Sequence, residues 1–531
     1  MEFCEKTALN SVEFCDALFI DSNLGVRVTE RLKRKIDEIL VEWKKTPGHL
    51  PLIIKGARQI GKTEAVRHFA SGHYKSVVEI NFVLQKQYKD IFDDGFEVDT
   101  ILKNISLRNP DLEFIPGETL IFFDELQDCI NCATSLKAFR QDGRYDVICS
   151  GSLMGINYNE IESNSVGSKE DVEMYSLDFE EFLWAKGYQE SQIESIYQSM
   201  LSLTPLTKTE YDVMLANFRE YMVLGGMPAI VFAFVQQKNY SGTLRMQRQI
   251  LLDYEEDITK YAAGLDKGKI LNVYRKIPAF LGKDNKKFQI SKIARNARNR
   301  DYVGTVEWLD NAGIISVCHC LELPGLPLKG NYDPDNYKIY FRDTGLLIGS
   351  LDEEVQEDLR NNKNFNAYKG AIYENVVADM LVKQGYTLYF YRNEKGTLEM
   401  DFFVRDADSL VPVEVKAVDG ATPSLNALIG KEKYSDICLW HQACKPKHWI
   451  QWEILYIPIF SGLPAQALPA GERSRRSKDK ISKREPVNGT PAPCEQGFRS
   501  LIVSFFYRCT TLNSSPWRCI LFGRASDRKM Y

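Results

Sequence analysis

Eight consecutive residues, Gly56, Ala57, Arg58, Gln59, Ile60, Gly61, Lys62 and Thr63, follow the phosphate-binding spacing G-x-x-x-x-G-K-[ST]. The apolar run from Pro51 to Lys55 before them reads as a short strand, and Glu64 to Ala70 after them reads as a helix. A strand feeding a glycine-rich turn that opens a helix aims several backbone N–H groups at one point. The helix dipole adds positive potential there. All eight residues are expected to cradle the phosphates of ATP. Lys62 would reach the β- and γ-phosphates, and the Thr63 hydroxyl would sit on Mg²⁺.

Hydrolysis needs more than a cradle: a metal anchor and a group that positions water. The run Ile121-Phe122-Phe123-Asp124-Glu125 ends an apolar strand in two carboxylates, at the sheet edge where such folds bind ligands. Asp124 is expected to hold Mg²⁺, and Glu125 to orient or deprotonate water. The next strand runs into Cys149-Ser150-Gly151-Ser152, which makes Ser150 the expected sensor of the γ-phosphate or the attacking water. Acidic strand ends and β-turns are also common without chemistry, so it is the combination with the P-loop that carries the expectation.

A second constellation lies far downstream. Alternation along Leu398-Glu399-Met400-Asp401-Phe402-Phe403-Val404 turns Leu398, Met400, Phe402 and Val404 to the core and Asp401 away. In Pro412 to Ala417, Val413 and Val415 face inward, so Glu414 and Lys416 share the other face. The short intervening segment suits an antiparallel pair that would gather Asp401, Glu414 and Lys416. Glu374 shares a helix side with Val377, Ala378 and Leu381, where a carboxylate needs a partner. Cys129-x-x-Cys132 lacks a second Cys/His pair at zinc spacing.

These residues need a scaffold. Residues 26–46 read as one amphipathic helix. Residues 77–82, 119–123 and 145–149 read as strands separated by helical stretches, the pattern of a parallel α/β sheet. Residues 178–275 are mostly helical, broken at Gly225-Gly226-Met227-Pro228. Residues 288–317 suggest a winged helix: helices at 292–296 and 303–312, a wing from Ile314, and a returning strand at 337–341. Residues 370–460 read as a second α/β unit. The expected division is an N-terminal extension (1–25), a P-loop ATPase domain (26–190), a helical region (191–275), a winged-helix-like region (276–350), a smaller α/β domain (351–463) and a basic, atypical tail (464–531).

Composition is that of an ordinary soluble chain: 531 residues, 44% apolar and 26% charged. No apolar run approaches the ~20 residues of a membrane helix. The N-terminus lacks a secretory pattern, so a reducing cytoplasm is expected to keep the twelve scattered cysteines as thiols. Residues 465–531 carry 13 Lys/Arg against 5 Asp/Glu, leaving an acidic body with no global basic surface for nucleic acid.

The motifs Gly56 to Thr63, Asp124-Glu125-Leu126-Gln127, Ser150-Gly151-Ser152 and Leu177-Asp178-Phe179-Glu180-Glu181-Phe182 occur in that order, followed by Tyr221 to Pro228. Together they resemble a prokaryotic group of AAA-type P-loop ATPases with a C-terminal domain of unknown function, over roughly residues 25–460. The resemblance implies an AAA-like core, a winged-helix region and a nuclease-like C-terminal domain. Many members carry an arginine shortly before the Leu-x-Phe-x-Glu-Phe segment. Here that stretch is Val166-Gly167-Ser168, so an arginine finger is not carried over, and Arg58, Arg140 and Arg144 remain candidates.

The downstream set resembles the PD-(D/E)xK nuclease superfamily. By that resemblance Asp401 and Glu414 would hold a second Mg²⁺ or Mn²⁺, Glu374 would support it, and Lys416 would activate water or stabilise charge. The leading expectation is a Mg²⁺-dependent ATPase whose nucleotide state controls this domain. The alternatives are an ATP-regulated nuclease acting on DNA or RNA, and a non-catalytic switch or scaffold. Expected partners are ATP, DNA or RNA, and a second copy or another protein, with no membrane.

Overall fold

The computed structural model describes residues 31–152, 167–201, 206–262, 265–283, 286–289, 304–361, 367–406, 409–415 and 423–428, with Lys292, Ile293, Arg298, Tyr302, Tyr434 and Ile437. The expected N-terminal extension and basic tail lie outside these residues, as does Lys416.

Five strands form a parallel sheet: β1 (Leu52–Gly56), β2 (Ser76–Asn81), β3 (Thr119–Asp124), β4 (Asp146–Ser152) and β5 (Glu170–Glu173), in the order β2-β3-β4-β1-β5. The central strands are apolar on both sides, as a sheet covered by helices on both faces requires. Leu52, Ile54, Leu120, Phe122 and Ile148 feed one core, and Ile53, Ile121, Phe123, Val147 and Cys149 the other. Helices α1 (Lys35–Lys45), α2 (Lys62–His73), α3 (Val98–Arg108) and α4 (Ile130–Asp142) accompany this sheet.

Two details depart from the sequence reading. Among the described residues the first helix begins at Lys35, because Arg34 is extended (φ −131°, ψ 147°) and its side chain is committed elsewhere; residues 26–30 of the expected helix lie outside the described residues. The edge strand β5 gave no signal, since Glu170-Asp171-Val172-Glu173 is polar. It is held by pairing with β1 and by the Lys55–Asp171 ion pair at 3.1 Å.

Six helices follow: α5 (Phe179–Ala185), α6 (Glu190–Leu201), α7 (Lys208–Leu224), α8 (Pro228–Gln237), α9 (Thr243–Tyr261) and α10 (Lys267–Leu281). The break at Gly225-Gly226 is a crossing of three backbones. A Cβ on Gly226 would lie 2.0 Å from the Leu177 carbonyl oxygen, and one on Gly345 would lie 2.1 Å from that of Leu224. Gly225 also needs its left-handed φ of +74°, and Pro228 opens the next helix at its first turn.

Next come α11 (Thr305–Asn311), β6 (Ile315–Leu321), β7 (Tyr332–Phe341), α12 (Thr344–Gly349), α13 (Val355–Arg360), α14 (Ala367–Lys383), β8 (Tyr389–Arg392) and β9 (Glu399–Met400). They are followed by β10 (Phe402–Asp406), β11 (Ser409–Val413) and α15 (Pro423–Leu428). Strands β6 and β7 pair antiparallel, and β6 also pairs parallel with β8, giving a mixed sheet in the order β7-β6-β8-β9. Of the expected short helix at 292–296, only Lys292 and Ile293 are described.

Strands β10 and β11 form the expected antiparallel pair, with Phe402 opposite Val413. The expected single apolar face is corrected. Leu398, Met400 and Phe403 enter one core, whereas Phe402 and Val404 enter the other. Pairing breaks at Asp401, between β9 and β10, which shifts the alternation by one residue, and both sides of the strand are covered.

Candidate active site

The P-loop leaves β1 at Gly56 and enters α2 through Gly61, whose φ of +87° suits only glycine. At Gly56 an added Cβ would fall 2.4 Å from the Ile60 side chain and 2.3 Å from the Met174 carbonyl oxygen, so the turn closes on a bare backbone. Lys62 folds back over the loop and donates to the carbonyls of Ala57 (2.7 Å) and Gly56 (3.1 Å). Burial lowers its pKa to about 8, against the pull of Glu125 and Asp124.

The end of β3 meets the start of α2. The Thr63 hydroxyl donates to Asp124 Oδ2 at 3.0 Å, and Asn81 Nδ2 donates to the same oxygen at 3.0 Å. Asp124 Oδ1 accepts from the Glu125 N–H at 3.1 Å and from the Ser150 hydroxyl. Asp124 thus accepts four hydrogen bonds, two on each oxygen. With Thr63 it offers the hard oxygen pair that Mg²⁺ takes beside nucleotide phosphates, so these residues fit that ion.

Ser150 is fully buried and its hydroxyl is committed to Asp124. That bond steadies the Asp124 carboxylate from the neighbouring strand.

Glu125 occupies the left-handed region (φ 58°), a costly conformation for a side-chain-bearing residue. Gln127 holds it: its amide nitrogen donates to Glu125 Oε2, while its Oε1 accepts the Ser152 N–H at 3.2 Å. Gln127 therefore ties the Glu125 carboxylate to the end of β4. Sequence reasoning named this residue within a motif but gave it no role, and it overlooked Asn81, although a polar residue ending a strand beside Asp124 was a usable signal.

The middle of the P-loop docks onto α9. Arg58 pairs with the buried Asp257 at 2.6 Å, and Gln59 donates to Asp253 at 2.7 Å. Arg144 is held by Asp142 and Asp99, and Arg140 by the Gly167 carbonyl. All three candidate arginines are thus engaged within the chain.

Glu374 is buried on α14, where Lys286 pairs with it, Lys338 lies 3.9 Å away and the Tyr340 hydroxyl donates at 3.2 Å. Lys338 also pairs with Glu399 at 2.8 Å. Burial disfavours the Glu374 charge, and the two lysines more than offset it. Burial and then the Glu374 charge raise the Asp401 carboxyl, which accepts the Val415 N–H at 2.8 Å. Glu414 follows β11. Among the described residues no three His, Cys, Asp or Glu side chains are grouped as a metal site. The Lys286 and Lys338 ammonium groups balance the Glu374 charge.

Residues 49–183 match the sequence profile of an AAA domain, the same stretch that builds the five-stranded sheet and its loops. This part of the chain is an AAA-type P-loop ATPase domain. Two further profiles match outside it: a domain of unknown function (DUF8612) at 215–357 and another (DUF4143) at 369–441. No curated protein matches the chain. Similar solved structures include a Walker-type ATPase of Pyrococcus abyssi, 11% identical over 60% of this chain and 95% of its own, with a TM-score of 0.37. The RuvB Holliday junction branch migration motor of Thermotoga maritima is 13% identical over 54% and 89%, with a TM-score of 0.26. The Orc1 protein of Aeropyrum pernix, solved with DNA, is 11% identical over 62% and 91%, with a TM-score of 0.25. Scores this low add nothing to the fold, which stands on the profile match and the strand order. No helix among the described residues is long and apolar enough to cross a membrane.

Proposed function

We propose that the chain hydrolyses ATP with Mg²⁺ and uses the nucleotide state to bias its C-terminal unit. The observation that carries this reading is the Thr63–Asp124 contact at 3.0 Å, with Glu125 next in sequence and steadied by Gln127. The loop amides and Lys62 bind the phosphates, Thr63 and Asp124 hold the cation, and Glu125 orients the attacking water. Bound Mg²⁺ supplies neutralisation of charge on the β- and γ-phosphate oxygens. Since Arg58, Arg140 and Arg144 are each engaged, unaided turnover is expected to be slow.

Control of the C-terminal unit is supported by the segment leaving β5. The Met174 N–H bonds the Lys55 carbonyl of the P-loop strand at 2.7 Å. Ser176 donates to Asp343 at 2.8 Å, and the Leu177 carbonyl accepts from Lys383 of α14 at 3.1 Å. One short strap therefore touches the phosphate loop on one side and the C-terminal helix on the other.

A nuclease-like identity for that unit, a winged helix before it and a nucleic-acid partner form a second reading. The antiparallel β10–β11 pair favours it, because it brings Asp401 to Val415 beside Glu414. One assay separates the readings: ATP turnover with and without DNA or RNA, with nucleic-acid integrity read in the same tubes. Absence of nucleotide binding, or binding unchanged by Lys62→Ala, would sink the leading proposal. Cleavage lost in Asp401→Ala would establish the second, and intact nucleic acid with every metal would count against it.

A further inference from the structure

We propose that Arg34 is a positioning residue for the phosphate cradle, held in place by the acidic helix start at Asp178–Glu181. The proposal rests on nucleotide binding at Gly56–Thr63.

Arg34 sits just before α1, is 5% exposed, and joins three segments distant in sequence. Its Nη1 donates to the Ile60 carbonyl at 2.9 Å, its Nη2 to the Tyr175 carbonyl at 2.7 Å, and its Nε to Glu181 Oε1 at 3.1 Å. The Ile60 carbonyl shares a planar trans peptide with the Gly61 N–H, so the two point in opposite directions. Fixing the carbonyl on the Arg34 side fixes the Gly61 N–H on the other. That N–H lies at the start of α2, where an anion is received. A Cβ on Gly61 would come 3.8 Å from Arg34 Nη1, which places the guanidinium directly behind this turn.

Glu181 is itself immobilised. Its Oε2 accepts the Asp178 N–H at 3.0 Å, while Asp178 Oδ1 accepts the Glu181 N–H at 2.9 Å, a reciprocal helix cap. Glu181 Oε1 also accepts the Lys35 N–H at 2.7 Å, so the same oxygen that holds Arg34 secures the first residue of α1. The Leu177–Phe182 motif thereby gains a role at the nucleotide site without touching it. A lysine does not reproduce this arrangement, because Arg34 meets its three acceptors with three separate nitrogens spread over a planar guanidinium, whereas an ammonium has a single nitrogen.

The test uses the full chain and the fluorescent nucleotide mant-ATP with Mg²⁺, comparing Arg34→Met, Arg34→Lys, Glu181→Gln and Lys62→Ala with the wild type. Thermal melts and hydrogen exchange are followed in parallel. Arg34→Met is expected to bind about tenfold more weakly, the scale of a lost hydrogen bond to a charged group. KM should rise by a similar factor, with kcat at saturation affected less. Arg34→Lys should fall between, and Glu181→Gln should shift in the same direction by less. Amide exchange should quicken in the peptide covering 56–63 and not in β3 or β4. A purely structural role would lower the melting temperature while leaving affinity and exchange in the folded protein unchanged. Arg34→Met and Glu181→Gln that fold and bind within about twofold of wild type overturn the assignment. If Arg34→Met does not fold, the same criterion applied to Arg34→Lys and Glu181→Gln decides. Weak binding by Lys62→Ala beside wild-type binding in those variants removes Arg34 alone. Wild-type binding by Lys62→Ala removes the nucleotide reading and this proposal with it.

Discussion

The Thr63 hydroxyl lies 3.0 Å from the Asp124 carboxylate, joining the first turn of the helix after the P-loop to the end of β3. The register that aligns Asn81 with Asp124 across β2 and β3 adds the Asn81 amide to the same oxygen. The carboxylate is preorganised before any ligand arrives. This is how a site stabilises transition-state charge without reorganising during the reaction.

Asp124→Asn removes the charge and keeps the shape. Nucleotide should still bind through the loop amides and Lys62, with its dependence on Mg²⁺ flattened. Turnover should fall about 100-fold or more, the scale of a lost electrostatic stabiliser. Titration with mant-ATP at several Mg²⁺ concentrations, beside a phosphate-release assay, checks both halves. Retention of steep Mg²⁺ dependence would refute the role assigned to Asp124.

Glu125→Gln should leave affinity intact and reduce kcat by about 10²–10⁴-fold, as for a lost general base. Gln127→Ala should act through Glu125: kcat down by about tenfold, KM little changed, because the carboxylate is freed and not removed. If Gln127→Ala raises KM and spares kcat, its clamp on Glu125 is irrelevant to turnover.

The site's legibility in the sequence follows from which residues announce themselves. Gly56 to Thr63 and Asp124-Glu125 are local patterns whose chemistry dictates their spacing, and the apolar strands behind them alternate into two cores that both exist. Arg34 carries no such pattern. Its partners lie at Ile60, Tyr175 and Glu181, and only the folded chain brings them together. The polar strand β5 was hidden because an edge strand needs few apolar residues. Around Asp401 a strict two-residue period is the wrong rule, since a break in pairing sends Met400 and Phe402 to opposite cores. Helical spacing at i+3, i+4 and i+7 puts Glu374 on a buried helix face but does not name Lys286 and Lys338 as its partners.

The junction between the strap and α14 holds Asp379 and Lys383, 2.8 Å apart and both nearly inaccessible. Burial pushes the Asp379 carboxyl up to about 7, with Lys383 opposing and Asp343 reinforcing the shift. The folded pKa is above the unfolded one, so between about pH 4 and pH 7 the native state binds the extra proton. This group therefore adds stability at the acid end and loses it as pH rises through 7. Urea unfolding of the wild type and Asp379→Asn across that window should show the wild type losing ground to the variant with rising pH. Parallel curves would contradict the assignment.

Gly226→Ala tests the three-backbone crossing that carries the strap. The new methyl would sit 2.0 Å from the Leu177 carbonyl oxygen and 2.8 Å from the Leu177 nitrogen. Both are backbone atoms with no flexible end to move aside. Relief would have to come from separating the strands of the crossing, at the expense of the Leu177 N–H to Gly226 carbonyl bond of 2.7 Å and the Gly226 N–H to Asp343 bond of 2.8 Å. Overpacking costs about 1–3 kcal/mol and each lost bond about 1 kcal/mol, so destabilisation of at least about 3 kcal/mol is expected. Denaturant titration measures it directly. At temperatures where the variant stays folded, mant-ATP binding should persist, since the P-loop itself is untouched, while protection of α14 amides should lose its response to nucleotide. A variant as stable as wild type would mean that the crossing is looser than its 2.0 Å approach implies.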